Sequence, residues 1–352
     1  MNVNIQVLDC TLRDGGLGLE DAEKNGIDNI KFSAEDRQGV TECLTQAGID
    51  IIELGTIELT TDDRTGFAIY PNIESISKNM PVKEKENQIF TALYRGPDTP
   101  IEDIPEWNPT LCEGIRVIIR YSEIKKSLDF CAALCKKGYK VFIQPMLTMR
   151  YTEAEIDLLI YEANRMSAYA LYFVDSYGYM QSADVLRLFE VYDNGLKPEI
   201  KIGFHAHNNM NLAFSNTLSL MNVQNQRGII IDTCLWGMGQ GAGNLQTELF
   251  LGYICQNSFV QYGFGEILDG CEIIERYDKA NLWGYSVTRL IPALYKTAYK
   301  YSISLRKKYH MSYREINEVL AQIPEELKQR YTVENTIELL RVCGFEHQLE
   351  NE

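Results

Sequence analysis

Residues 139–178 read YKVFIQPMLTMRYTEAEIDLLIYEANRMSAYALYFVDSYG. The runs at its two ends, 139–146 and 170–177, are rich in Val, Ile, Tyr and Phe. They are mostly apolar on both pleat faces, as parallel strands covered on both sides must be. Between them, 152–167 has helical periodicity. The same alternation continues outward in both directions. Strand-like runs fall at 5–10, 50–55, 88–94, 114–121, 200–207 and 229–236, which makes eight with the first two. Helix-like segments fall at 34–47, 123–137, 182–194 and 210–223, several of them stopped by a glycine (Gly48, Gly138, Gly195). The gap 56–87 is long and polar, with a short helix near 73–79. Eight strands alternating with helices over about 260 residues match a (β/α)8 TIM barrel, with a doubly wound open sheet as the competing fold. The remainder has helical periodicity at 291–308, 313–323 and 332–342 and no clear strand. The expected organisation is a catalytic barrel over 1–260 and an all-helical C-terminal extension over 261–352.

Composition narrows the function. A chain of 352 residues is too long for a peptide hormone or disulfide knot, and no run of about 18 apolar residues could span a bilayer. The start, MNVNIQVLDC, lacks the basic and apolar regions of a secretory signal, so a cytoplasmic location is expected. The nine cysteines include no CxxC pair and read as reduced thiols, with Cys131 and Cys135 as helix packing. A formal net charge of −15 repels phosphate backbones and anionic lipid, so neither nucleic acid nor a membrane surface is an expected partner. An anionic substrate would need a local cation or metal.

In a barrel of this kind the active site forms at the C-terminal ends of the strands. The seventh run ends in GFHAHNN. Two of the chain's four histidines are His205 and His207, whereas composition alone gives roughly 0.05 HxH pairs in a chain of this length. Residues i and i+2 on a strand point the same way, so both imidazoles face the barrel axis while Phe204 and Ala206 face the helices. Two imidazoles and one carboxylate make a facial metal triad with open positions. The first run ends in LDCTLRDGG, and Asp14 just past it is the natural carboxylate; taken alone, Arg13–Asp14 would read as a surface pair. The eighth run leads into GMGQGAGN (237–244), whose alternating glycines, Gly239 and Gly241 among them, let backbone pass close to a ligand or stand as a tight turn. Glu53, Asp175 and Ser176 also lie at strand ends, where each is a catalytic candidate or a turn residue. Asp9, inside the first strand, needs a partner. Tyr285 and Arg289 in the extension either reach over the barrel mouth to bind substrate or pack between helices.

Taken in order, LDCTLRDGG, IIELG, FVDSYG, HAHNN followed by Asn211–Leu212–Ala213, and GMGQGAGN resemble the metal-dependent lyase and synthase barrels. These include hydroxymethylglutaryl-CoA lyase, isopropylmalate and homocitrate synthases and, nearest, the 4-hydroxy-2-oxovalerate aldolases. The resemblance implies a divalent ion, Mn²⁺ foremost and Mg²⁺, Zn²⁺ or Co²⁺ as alternatives, on Asp14, His205 and His207, with Asn244 as a further ligand or a member of the shell around it. It implies that Arg13 steadies an enolate oxygen, and a carbon–carbon lyase acting on the enolate of pyruvate or another 2-oxo acid, with an aldehyde as the second half. An acyl-CoA Claisen synthase and a non-catalytic binding barrel are the alternatives. The aldolases resembled imply a possible dehydrogenase partner on the helical extension, and a homo-oligomer is the default for such enzymes. Two positions depart from the family pattern: Leu17 stands where the aldolases carry a catalytic His, and Arg289 falls where their extension tyrosine aligns. Glu53, a tyrosine or a water on the ion are left as candidate bases, and Arg289 suits a substrate with a second anionic group.

Overall fold

The computed structural model describes residues 4–27, 30–223, 226–257, 261–278, 282–346 and 348. All eight expected runs are strands: β1 (Ile5–Asp9), β2 (Ile51–Ile57), then, after the two-residue β3 (Ile69–Tyr70), β4 (Ile89–Tyr94), β5 (Gly114–Ile119), β6 (Lys140–Pro145), β7 (Ala170–Asp175), β8 (Lys201–Ala206) and β9 (Ile229–Thr233). Their pairing is parallel throughout, in the order β1-β9-β8-β7-β6-β5-β4-β2, and contacts between β1 and β2 (Leu8 opposite Ile51) close the circle. This is a (β/α)8 TIM barrel. β3 adds to the upper end of β2, where Thr56 lies opposite Ile69.

Alternation along the strands sorts the core into two layers. Val7, Ile52, Leu54, Ile115, Val117, Phe173 and Phe204 pack in one cluster with the surrounding helices. Their neighbours Leu8, Ile51, Phe142, Tyr172 and Ile230 fill a second, inside the barrel. Gly203 makes the inner filling possible, because a Cβ there would strike the Tyr172 ring. Helices Ala34–Gln46, Ile124–Lys136, Glu153–Met166, Ser182–Gly195 and Ala213–Met221 cover the outside, within a residue or two of expectation at most ends. Thr152 starts one of them with a capping box, its hydroxyl accepting the Glu155 N–H while Glu155 reaches back.

Several features were not expected. A helix follows the first strand at Gly16–Lys24, β3 lies in the polar gap, and the extension helix expected over 291–308 is broken. It forms as Val287–Leu294 and Tyr299–Lys307, separated by Lys296 at φ +58° and a Thr297 N–H that donates to the Pro292 carbonyl. Hydrophobic spacing does not register a left-handed residue, which ends a helix whatever its neighbours prefer. The boundary expected at 260/261 touches 258–260, which lie outside the described residues. Helix Phe264–Glu275 sends Ile267, Cys271 and Ile274 into the barrel's outer cluster, while Ile291, Tyr301, Leu305, Val319 and Leu340 form a separate one. Among the described residues no helix is long and apolar enough to cross a membrane.

Candidate metal centre and active site

Beyond β1 the chain turns through a wide, π-type helical turn, Thr11–Gly15, which carries Arg13 and Asp14 into the barrel mouth, both buried. His205 is on β8 and His207 follows it. One donor atom from each of Asp14, His205 and His207 lies within 4.8 Å of the others, and the two imidazole centroids are 5.1 Å apart. Asn244, whose backbone bridges to His207, donates its Nδ2 to Asp14 Oδ2 at 2.6 Å. Its Oδ1 is buried with no hydrogen-bond partner among the described residues, an open acceptor beside the triad. A Cβ on Gly239 would collide with Asp14 Oδ2 and Asn244 Nδ2, so glycine is needed there for this cradle to exist. Two imidazoles, a carboxylate and a free amide oxygen are a donor set that fits a divalent cation.

The electrostatics match. Burial disfavours the Asp14 carboxylate, but Arg13 and both imidazoles overcome it and hold the group well below the ordinary range. Burial also opposes a charged His205; the hydrogen bond with Asp232, with Nδ1 2.9 Å from Oδ2, reverses this and raises it to about 9. His207, with burial dominant, falls to about 4. Asp232 on Nδ1 leaves the other ring nitrogen of His205 for a ligand role.

Under the triad runs a buried chain of charges. Arg13 donates from Nη1 to Asp14 (2.5 Å) and from Nε to Glu53 Oε2 (2.8 Å). Arg116 donates to the same Glu53 oxygen at 2.7 Å and to Asp232, and its guanidinium lies 5.0 Å from the Tyr172 ring centre. Arg116, Glu53 and Asp232 are essentially inaccessible. Arg13, Asp14 and Glu53 are among the site residues expected from the sequence; Arg116 and Asp232 are not. Both sit in the middle of apolar strands, in GIRVII and IIIDT. A charge buried there is too costly to stand without a partner, and that was the available signal.

The remaining candidates are placed elsewhere. Asp175 accepts the N–H groups of Tyr179 and Met180, so its carboxylate, pushed up to about 7 by burial, shapes the turn after β7 and does not join the triad. Ser176 accepts the Leu147 N–H and ties two loops together. Tyr285 is more than half exposed. Arg289 is buried, and its guanidinium donates to the carbonyls of Leu282, Trp283 and Gly284, which fixes it in place. Gly241 lies against the ring of Tyr299, and Leu17 is packed in the barrel's outer cluster. One helical turn beyond Leu17, Asp21 accepts hydrogen bonds from the Tyr299 hydroxyl (2.8 Å), Gln240 Nε2 (2.9 Å) and Lys300. The Gln240 N–H in turn donates to Asp14. Tyr299 therefore connects the extension to the centre through the glycine loop. Nothing singles it out among 21 tyrosines in the sequence. Asp9 finds its partners in the Thr11 N–H and the Thr247 hydroxyl. Cys10 and Cys234 face each other across β1 and β9, their sulfurs 3.4 Å apart, and all nine cysteines are free.

The profile of the HMGL-like family matches residues 4–261. The chain belongs to the HMGL-like family. A 4-hydroxy-2-oxovalerate aldolase from Shewanella woodyi is 39% identical over 254 residues, 71% of this chain and 70% of that one. Among solved structures, the carboxyl transferase domain of Rhizobium etli pyruvate carboxylase aligns with 97% of this chain and 60% of its own (TM-score 0.68, 12% identity). A hydroxymethylglutaryl-CoA lyase from Pseudomonas aeruginosa aligns with 80% of this chain and 95% of its own (TM-score 0.60, 14% identity). At those identities the two structures speak to the fold. The enzyme class read from the sequence, a carbon–carbon lyase on a TIM barrel, agrees with the HMGL-like assignment and the aldolase relatives.

Proposed function

We propose that this HMGL-like barrel is an aldolase that makes or breaks a carbon–carbon bond next to a 2-oxo acid, pyruvate or a close relative, through its enolate. Asp14, His205, His207 and Asn244 would hold a divalent ion, Mn²⁺ first. The observation that carries the proposal is the Asp14–His205–His207 cluster with the open Asn244 oxygen at its edge and the Arg13 guanidinium at its side. The ion's contribution is Lewis-acid stabilisation of enolate charge.

The chain's own groups then have separate tasks. Glu53 and Asp14 clamp Arg13, so its guanidinium is oriented before any charge develops on the substrate oxygen. Arg116 and Asp232 orient Glu53 and His205 and touch no substrate. In the cleavage direction the substrate's C4 hydroxyl loses its proton and the C3–C4 bond breaks. The aldehyde leaves, the electron pair stays on the 2-oxo acid as its enolate, and C3 then takes a proton. Asp21 and Tyr299 are the chain's own pair for the hydroxyl proton: the Tyr299 hydroxyl hands its proton to the Asp21 carboxylate as it takes the one that leaves the substrate, so Asp21 is the net acceptor in cleavage and the donor in addition. They occupy the helix and the extension that flank the glycine loop, and burial with Asp21 nearby raises the phenol well above its ordinary pKa, the direction for a group that carries a proton. Leu17, apolar where the resembled aldolases have a His, makes such a replacement necessary.

The test is deuterium exchange at C3 of pyruvate and 2-oxobutyrate in D₂O with Mn²⁺, followed by NMR. Exchange by the wild type and not by Asp14→Asn is the expected result. No exchange with any acid, while the ion binds, would transfer the reading to an acyl-CoA synthase or a non-catalytic barrel.

A further inference from the structure

A cavity of about 220 Å³ lies beside the centre, bounded by Gly239 and Gly241 of the glycine loop, by helix Gly16–Lys24 and by the extension. Asp21 and Tyr299 line it, and so do three cations, Arg289, Arg306 and Lys307, with the hydroxyl-bearing Ser286 and Thr288. In a chain with fifteen more acidic than basic side chains this sign is unusual. The carboxylate of Asp21 is already matched by Lys300 and two neutral donors. Arg289 is held rigidly by three carbonyls. Arg306 donates to the Met311 carbonyl and stacks on Tyr313, and among the described residues neither it nor Lys307 is in a salt bridge with a carboxylate. Some basic residues elsewhere on the surface have such partners, for example Lys125 with Asp129 and Arg165 with Glu162, and others do not; what sets Arg306 and Lys307 apart is that they line one cavity together with Arg289.

Resting on the aldolase reading above, we propose that this cavity receives the aldehyde half of the substrate, and that this half ends in an anionic group, a carboxylate or a phosphate. Arg306 and Lys307 supply the counter-charge at the rim, and Arg289 and the two hydroxyls supply fixed donors within. The order of groups follows the path of the substrate: the 2-oxo acid at Asp14 and the histidines, the breaking bond near Asp21 and Tyr299, the anionic end among the cations. The volume lies below the roughly 300–1,000 Å³ of sites that enclose drug-sized ligands, which favours a short acid or phosphate over a coenzyme A tail. Guanidinium and ammonium groups with hydroxyls beside them bind either anion.

Aldol addition to pyruvate with Mn²⁺ is measured for succinic semialdehyde, glyceraldehyde 3-phosphate, glyceraldehyde and propanal. The expected result is a kcat/KM at least tenfold higher for one of the two anionic aldehydes, and which one it is separates carboxylate from phosphate. The preference falls at least tenfold in Arg306→Ala/Lys307→Ala. It survives in Lys125→Ala/Lys136→Ala, which removes the same charge from a barrel helix. Equal kcat/KM for charged and neutral aldehydes, or equal loss in both double variants, overturns the proposal. If no aldol forms and pyruvate exchanges no C3 deuterium, the aldolase reading itself has failed. The cavity is then judged by calorimetric titration with 3-phosphoglycerate and with succinate. Binding that Arg306→Ala/Lys307→Ala loses keeps the anionic site, and absence of binding by both probes removes it.

Discussion

Asp232→Asn tests the buried chain of charges most directly. Asp232 Oδ2 meets both His205 Nδ1, at 2.9 Å, and an Arg116 guanidinium that is wholly inaccessible. Breaking a buried ion pair from one side costs about 3–5 kcal/mol, and an asparagine of the same shape keeps one acceptor, so about 2–3 kcal/mol is expected. For a chain of this size, at about 2 °C per kcal/mol, the melting temperature should drop by about 5 °C. The asparagine oxygen still accepts from His205 Nδ1 but no longer supplies the negative charge that makes the imidazole a stronger ligand. Losing a partner of that kind weakens metal binding by about 10–100-fold, or about 1.4–2.8 kcal/mol. Calorimetric titration with Mn²⁺ reads the affinity and thermal unfolding reads the stability. The double variant Arg116→Met/Asp232→Leu separates the two, since apolar replacement of a buried pair restores stability without restoring the imidazole's anchor. A Kd for Mn²⁺ in Asp232→Asn within threefold of wild type would refute the idea that this chain orients the centre.

Two further outcomes follow. Tyr299→Phe should lower kcat for aldol cleavage or addition by about 10²-fold or more, the scale of a lost proton-transfer group, while Mn²⁺ binding stays within twofold; an unchanged kcat would remove Tyr299 from the chemistry. Asp9 is held by burial at about 6 against 3.8 when unfolded, so the fold favours its protonated form. Its stabilising contribution is complete below pH 3.8 and lost as pH rises through 6, a swing of about 3 kcal/mol. Asp9→Asn should therefore be more stable than wild type at pH 8, with the gap narrowing toward pH 5, and a gap independent of pH in urea unfolding contradicts this.

How much was legible in the sequence depends on how local its cause was. The strands of a parallel barrel are buried on both faces, so each advertises itself as an apolar run, and all eight were readable. His205 and His207 were readable because strand period and rarity coincide in one tripeptide. Arg116 and Asp232 were not, since attention to strand ends skips mid-strand charges, and their meaning exists only once β2, β5, β8 and β9 share one interior. Asp175 misled for the converse reason: a carboxylate at a strand end looks the same whether it faces substrate or, as here, accepts from its own turn. Tyr299 depends on the break at Lys296, a φ of +58° that no periodicity records and that separates helix Val287–Leu294 from the helix Tyr299–Lys307 which begins with it.

The charges within the centre also constrain the order of events. Asp14, Glu53 and Asp232 face Arg13 and Arg116, which leaves one negative charge when both histidines are neutral, as ligands must be. A divalent ion turns that into one positive charge in a buried site, an arrangement that burial makes costly. The carboxylate of a 2-oxo acid restores neutrality. Ion and acid should therefore bind as a pair: saturating pyruvate should tighten Mn²⁺ about tenfold or more, and thermodynamic linkage requires Mn²⁺ to tighten pyruvate by the same factor. Propionate has the same carboxylate but no second oxygen on C2 to complete a chelate, and should give a smaller factor. Titrations in both orders measure the two factors. If pyruvate leaves the Mn²⁺ affinity unchanged, the acid does not share the centre with the ion, and the place assigned to the enolate at Arg13 falls with it.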